Sequence, residues 1–499
     1  MSNAVSPDST DEDHAASERA HAKGVLAGSV LLTAARITAQ ITALIVLVIA
    51  VRVMTPAELG AFGLVAATAL VLLQAAETGW FEMVANAKRH QALPGEYFWC
   101  AMATGGLAML AGLGVALGIW LFARSADHAV AMGALGIIIA SQPFICVQAG
   151  VLSRQGRVGL FGACQIAGEL GGLAIGVYGL LSGWGIFALV AQKITVAMVA
   201  ATGAGVLGRW IPAFSWRLEQ VRETFHFSLN LLGTRSVGFI NQVGGDYLIA
   251  LFLGLAPVGF YRLASRISGA AAEVISEPAR LMAWSILPRA YGAAAADAPG
   301  PKALSDMLLT LFAIAAPVFV GLILVTEPLV AVLTGPGWGA AGPALALFCL
   351  VRFLYIPSTL ATVVLIMRNK TRTLFFFNLS VMLIALGFVL MLARFGLYWA
   401  VAGQLLVGLF VFGVSFRFLI GDGQLPWKPF LKDVIALSVC LGLMAAAASV
   451  ALAVLADASA PVRLAAAIGA GGLAYLVAAL VVRPRPVVLL LDAVRAQRS

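Results

Sequence analysis

Apolar runs of about 20 residues recur along the whole chain, separated by short breaks that carry glycine, proline and charge. A helix of about 20 apolar residues is what the hydrocarbon core of a bilayer requires. The pattern predicts fourteen spanning helices, near 25–52, 60–85, 97–122, 129–152, 158–181, 184–207, 226–252, 259–284, 305–333, 342–366, 373–393, 397–420, 431–455 and 461–482. Thr55-Pro56, Leu93-Pro94-Gly95, Ser182-Gly183 and Gly335-Pro336-Gly337 punctuate them. Most connections are short, so consecutive helices are expected to be antiparallel neighbours.

Composition agrees with that reading. Of the 499 residues, 61% are hydrophobic and 11% charged, whereas a water-soluble domain carries about 25% charged residues. Too little polar surface remains to face water, so the fold class expected is an all-α polytopic membrane protein. The net charge of +9 resides mainly in loops and does not point to nucleic acid. Residues 1–23 are polar and acidic, unlike a cleavable signal, and are expected to form a disordered cytoplasmic tail. Cys100, Cys146, Cys164, Cys349 and Cys440 fall inside apolar runs. Their spacing fits no metal site, and they read as small packing residues.

Loop charge orients the chain. With a cytoplasmic N-terminus, Lys88, Arg89, Arg154, Arg157, Arg209 and Arg217 lie inside, as do most other loop cations, while Arg52, Arg124, Arg394 and Arg463 lie outside. This is the positive-inside pattern, and it places both termini in the cytoplasm. The polar break 209–224, with Trp210, Trp216, Arg217 and Arg222, reads either as an amphipathic segment on the inner leaflet or as an ordinary loop. There is also an internal repeat. Ser29, Arg36, Gly60 and Phe62 align at one offset with Ser228, Arg235, Gly259 and Tyr261. Both copies would run from inside to outside, a parallel repeat about an axis along the membrane normal.

Ionisable groups inside spans are costly and therefore candidates for function. Arg36, Arg235 and Arg352 lie about ten residues into their spans, which at about 1.5 Å per residue is near mid-depth. In the eighth span Arg262, Arg266, Glu273, Glu277 and Arg280 share a sector of about 60°, and in the seventh Arg235, Gln242 and Asp246 share about 40°. Arg235 and Asp246 are too far apart along the axis to pair. The competing reading is structural: Arg266 bonded to a neighbouring helix, Glu273 or Glu277 to Arg280. That reading, or an interfacial position, is favoured for Glu77, Glu82, Glu169 and Lys193; for Arg36, Arg235 and Arg266 a hydrated cavity is favoured. Arginine's planar, permanently charged fork suits phosphate oxygens. Pro278, Pro317, Pro328 and Pro357 mark kinks, and Gly168-x-x-x-Gly172-x-x-x-Gly176 marks a close helix contact.

Three stretches carry a family likeness: Met54-Thr55-Pro56-Ala57-Glu58-Leu59-Gly60-Ala61-Phe62-Gly63-Leu64, Ala256-Pro257-Val258-Gly259-Phe260-Tyr261-Arg262-Leu263-Ala264-Ser265-Arg266-Ile267, and Leu333-Thr334-Gly335-Pro336-Gly337-Trp338. With the fourteen-span layout, the chain resembles the Wzx-type polysaccharide-export flippases of the multidrug/oligosaccharidyl-lipid/polysaccharide exporter superfamily. The resemblance implies two pseudo-symmetric six-helix lobes (24–208 and 225–421), joined by the linker 209–224, around a central cavity. Two helices (422–483) and a cytoplasmic tail (484–499) follow.

It also implies a cargo, a polyprenyl pyrophosphate carrying an oligosaccharide, moved from the inner to the outer leaflet; the bacterial inner membrane is the expected location and alternating access the expected mechanism. The residues chosen for the pyrophosphate, by position and chemistry, are Arg36, Arg235, Arg262, Arg266 and Arg352. Asn230, Asn241 and Gln242 are expected at the sugar, and Asp246, Glu273 and Glu277 at a coupling ion. Expected partners are the lipid-linked glycan, the bilayer and export machinery such as a glycan polymerase.

The sequence holds no Gly-x-x-x-x-Gly-Lys-Ser/Thr motif, so no nucleotide and no other cofactor is expected. A drug or organic-cation antiporter of the same superfamily would want an acidic, aromatic cavity. A membrane-embedded polymerase or acyltransferase would want positioned acids, bases or nucleophiles at a membrane face. The five histidines (His14, His21, His90, His128 and His226) are scattered, and the chain is not expected to be an enzyme.

Overall fold

The computed structural model describes residues 8–77, 79–87, 93–217, 243–292, 300–335, 337–420 and 427–488, with isolated positions between 221 and 241. Described residues are helical almost throughout. In order these helices are α1 (Asp8–Val53), α2 (Pro56–Glu77), α3 (Trp80–Asn86), α4 (Gly95–Gly118), α5 (Ala126–Arg154), α6 (Val158–Leu181) and α7 (Ile186–Gly208). Then come α8 (Val243–Leu253), α9 (Leu255–Gly292), α10 (Gly300–Leu324), α11 (Thr326–Leu333), α12 (Ala341–Met367), α13 (Thr371–Leu392), α14 (Leu397–Ile420), α15 (Trp427–Val454) and α16 (Ala460–Val482).

Twelve spans among the described residues are long and apolar enough to cross a bilayer. Side chains such as Phe122, Leu251, Val274 and Val481 stand almost fully exposed. A water-soluble monomer does not display apolar surface on that scale, and the chain is a multi-pass membrane protein. With α8 and α9 added, the described helices are consistent with the expectation of about fourteen spans. Only the end of the seventh span is described, and α9 carries too many charges to score as apolar although it runs 38 residues. Two spans are broken. Gly79, at φ 80°, separates α2 from α3, and α10 gives way to α11 at Val325. Helix α1 reaches back to Asp8, into the segment expected to lack structure.

The chain divides into two compact units. The first comprises Met1–Met54 and Ala61–Ser236; the second comprises Thr55–Gly60 and Val237–Ser499.

In the first unit α6 lies between α1 and α7, and α5 between α4 and α7. Glycine permits these approaches. A Cβ on Gly172 would sit 2.6 Å from Val196 Cγ2 and 2.9 Å from the Gln192 carbonyl oxygen, and one on Gly168 would sit 3.0 Å from the Val196 carbonyl. The expected Gly168/Gly172/Gly176 face is therefore where α7 packs. On the other side of α6, a Cβ on Gly162 would sit 3.0 Å from the Leu31 carbonyl carbon of α1.

Beyond α7 the backbone of 209–217 is irregular rather than helical, starting from a left-handed Arg209 (φ 51°). Gln148, fully buried, donates to the Trp210 carbonyl at 2.8 Å and accepts from the Trp210 N–H at 3.4 Å. Trp210 meets Phe98 edge to face, whereas Ile211, Phe214 and Trp216 stay exposed.

In the second unit α12 packs on α9, α10 and α14, and α15 pairs with α16 beside α10. Polar ties hold the last two helices: Tyr475 donates to the Ala313 carbonyl at 2.6 Å, and Arg485 pairs with Asp306 at 2.8 Å. Pro317 and Pro357 lie inside α10 and α12, where neighbouring helices replace water around the freed carbonyls. All five cysteines are free thiols, buried except for the half-buried Cys164, as packing residues should be.

Candidate functional site

Within the second unit, α8, α9 and α12 bring polar side chains together in otherwise apolar surroundings. Asp246 on α8 is 7% exposed and accepts from Arg262 Nη1 of α9 at 2.7 Å. Asp246 lies eight residues before Gly254, and Arg262 eight after it. Gly254 (φ 85°) turns the chain between two successive helices, so residues equidistant from it come level. A charged pair in a low-dielectric interior survives only when its geometry is good, because neither ion has water to fall back on.

One turn further along α9, Ser265 lies 3.5 Å from Arg352 Nη2 of α12. Arg352 stands in the middle of α12, and its Nε is buried without a hydrogen-bond acceptor among the described residues. Gly269 makes space beside it: a Cβ there would lie 3.7 Å from Nη2. Tyr261 closes the cluster, its ring edge-to-face with Phe348 at 4.9 Å. The result is a carboxylate paired with one arginine and a second, half-buried guanidinium whose buried Nε finds no hydrogen-bond acceptor among the described residues.

The other expected residues are distributed as follows. Arg266 is half-buried and has interactions of its own. Glu273 is exposed on α9, and Glu277 is exposed and paired with Arg280 at 2.6 Å. The charged stripe of the eighth span is thus divided: its first two arginines are half-buried, and its distal members are exposed with one local i,i+3 pair. Asn241 is exposed. Asn230, Arg235 and Gln242 lie outside the described residues. In the first unit Arg36 is exposed on α1, with no hydrogen bond or ion pair to any described residue. Glu169 on α6 accepts from buried Thr42 of α1 at 2.8 Å, a helix-to-helix hydrogen bond where a salt bridge or interfacial position was expected.

Sequence reasoning missed the Asp246–Arg262 pair, Ser265 and Tyr261. The first had a legible signal in the equal spacing about Gly254. Ser265 and Tyr261 acquire their place only through the packing of α12 on α9, which no local pattern specifies.

Comparison with known proteins places these features in context. A family model described as polysaccharide biosynthesis protein matches residues 48–343. The chain is 25% identical over 318 residues to the succinoglycan biosynthesis transport protein ExoT of Rhizobium meliloti (strain 1021), covering 61% of this chain and 62% of that protein. It is 25% identical over 288 residues to the teichuronic acid biosynthesis protein TuaB of Bacillus subtilis (strain 168), covering 54% and 56% respectively. The matched region therefore spans less than two thirds of either relative.

Among solved structures the fold is that of the lipid II flippase MurJ in its inward closed conformation, with TM-score 0.69 and 15% identity over 91% of this chain and 99% of that one. A multidrug resistance MATE family transporter of the MOP superfamily, inward-facing, also matches, with TM-score 0.56 and 15% identity over 76% and 94%. By the family match over more than half its length, this chain belongs to the polysaccharide biosynthesis protein family, the group that the Wzx-type resemblance pointed to.

Proposed function

We propose that this protein is a flippase that carries a polyprenyl-pyrophosphate-linked oligosaccharide from the inner to the outer leaflet of the bacterial inner membrane. The observation that carries the reading is Arg352, a guanidinium in the middle of a spanning helix with a buried donor that no described residue accepts. A cation at that depth is expensive, and a phosphate oxygen is the ligand that arginine's geometry fits best. Arg36 and Arg266, with Arg235 in the corresponding place of the repeat, extend the cationic set. Arg262 joins it when Asp246 releases it. Names of related proteins support the cargo class: ExoT is named a succinoglycan biosynthesis transport protein, and MurJ a lipid II flippase.

In this reading Asn230, Asn241 and Gln242 contact the sugar. Asp246 is the favoured coupling group, because protonation or cation binding there would free Arg262; the exposed Glu273 and Glu277 are weaker candidates. The chemistry is translocation rather than bond making, and the driving force is an ion gradient, the membrane potential or downstream consumption of the glycan. Loop charge puts both termini in the cytoplasm, and a glycan polymerase is the natural downstream partner. An organic-cation antiporter is disfavoured by the basic character of the cluster.

The test is complementation of glycan export with Arg36, Arg266 and Arg352 each changed to alanine and to lysine, at verified membrane insertion. Loss of export in the Arg352 variants supports the assignment. Normal export by all six variants overturns it while leaving the fold untouched.

A further inference from the structure

The turn between α12 and α13 carries charge without counter-charge. No aspartate or glutamate occurs between Glu327 and Asp422, whereas Arg352, Arg368, Lys370, Arg372, Arg394 and Arg417 all fall in that stretch. Arg368, Lys370 and Arg372 surround the turn, and Arg417 stands in the last turn of α14. Phe377 and Phe418 meet edge to face at 5.6 Å, which brings the end of α14 beside the first turns of α13. Lys370, Arg372 and Arg417 are exposed, and among the described residues none of them pairs with a carboxylate. Arg368 is half-buried and has contacts of its own.

Backbone hydrogen bonds fix where these cations stand. Asn369, at φ 55°, closes α12 in the left-handed conformation. Its N–H donates to the Ile366 carbonyl, and the Lys370 N–H donates to the carbonyl of buried Leu365, both at 2.9 Å. This paired closure holds the turn in one shape. Arg372 lies back along α13, its guanidinium 5.7 Å from the centre of the Phe376 ring. From that ring an apolar track continues up the helix. Phe376, Leu383 and Leu390 are 50%, 58% and 52% exposed; spaced by seven residues, nearly two full turns, they share one face. At about 1.5 Å per residue the track runs about 21 Å, longer than the roughly 15 Å of hydrocarbon in one leaflet.

We propose that this turn seats an anionic phospholipid, with its phosphate at Lys370 and Arg372 and its acyl chains along the Phe376–Leu383–Leu390 track. Cations and apolar surface are continuous here, so the ligand must offer both an anion and hydrocarbon. A soluble anion would leave the track unused. A zwitterionic lipid brings its own ammonium group, which offsets the attraction of its phosphate to the two cations. Long basic side chains reach the headgroup level while their stems stay on apolar surface, and basic groups at the inner face of a membrane draw anionic lipids. Loop charge places this turn on that face. The seat is separate from the Arg352 cluster: Arg368 lies sixteen residues further along α12, about 24 Å by helical rise. It goes beyond the transport reading and does not depend on it.

The experiment is native mass spectrometry of full-length, delipidated protein titrated with phosphatidylglycerol or phosphatidylcholine of matched chains. Wild type should retain phosphatidylglycerol in preference to phosphatidylcholine. K370Q/R372Q should lower phosphatidylglycerol retention roughly tenfold and leave phosphatidylcholine unchanged, and each single variant should show part of the loss. K370R/R372K, which keeps both charges, should retain the lipid. R394Q, at the other end of α13 where Arg394 lies over the Phe395 ring, should match wild type. Equal retention of the two lipids by wild type overturns the seat, and so does equal phosphatidylglycerol retention by wild type and K370Q/R372Q. Displacement of phosphatidylglycerol by inorganic phosphate would assign the turn to a soluble anion and overturn the lipid. Loss of undecaprenyl pyrophosphate in K370Q/R372Q with phosphatidylglycerol unaffected would place the turn on the cargo's path and overturn the seat. The readout is binding alone, so a failure of the transport reading leaves it intact.

Discussion

Asp246 and Arg262 stand level across the α8–α9 turn, 2.7 Å apart and equally distant in sequence from Gly254. The aspartate is almost wholly buried and the arginine about one third exposed, so the two are unequal partners. Removing the arginine strands a carboxylate in the interior, at a cost of about 3–5 kcal/mol. R262A should lower the melting temperature of the detergent-solubilised protein markedly, and D246N in the same chain should recover much of the loss. Additive losses in the double variant would show that the pair does not contribute as a unit.

Neighbouring glycines on α6 separate packing from propensity. Gly172 faces Val196 and the Gln192 backbone at under 3 Å from a built Cβ, whereas Gly171 meets nothing nearer than 3.7 Å. G172A should destabilise the protein by about 1–3 kcal/mol through overpacking, and G171A should be neutral or slightly stabilising. Equal melting temperatures for the two variants would contradict the α6–α7 contact.

The Thr42–Glu169 hydrogen bond joins α1 to α6 in a half-buried setting. T42V removes the donor and leaves the carboxylate oxygen without it, at a cost of about 1–3 kcal/mol, whereas T42S keeps the hydroxyl. Thermal unfolding should rank T42S close to wild type and T42V well below. The reverse order would assign the contact to methyl packing instead.

Arg352 separates charge from shape. R352K keeps a positive charge but loses the planar fork and its buried Nε. If the site recognises a phosphate through paired donors, export should fall at least tenfold in R352K, with melting temperature little changed. Full activity in R352K would mean that charge alone suffices.

The spans were legible because the apolar period and length needed for a bilayer leave few alternatives, and the arginine-bearing eighth span stood out by its charge. The residues around Arg352 were not legible: Ser265, Tyr261 and Gly269 face it only because α12 packs on α9. The glycine face of α6 was readable from its four-residue spacing. The partner of Glu169 was not, since a threonine inside an apolar run usually bonds only to its own helix, as Thr38 does to the Ala34 carbonyl.

The central claim concerns cargo, and vesicles test it most directly. Purified protein is reconstituted into unilamellar vesicles that carry a fluorescent polyprenyl-pyrophosphate-linked oligosaccharide in both leaflets, and a membrane-impermeant quencher is added outside. The account predicts that wild-type protein brings the inner pool within reach of the quencher and that R352A does not. Quenching by wild-type vesicles that stops at the level of protein-free vesicles would contradict it.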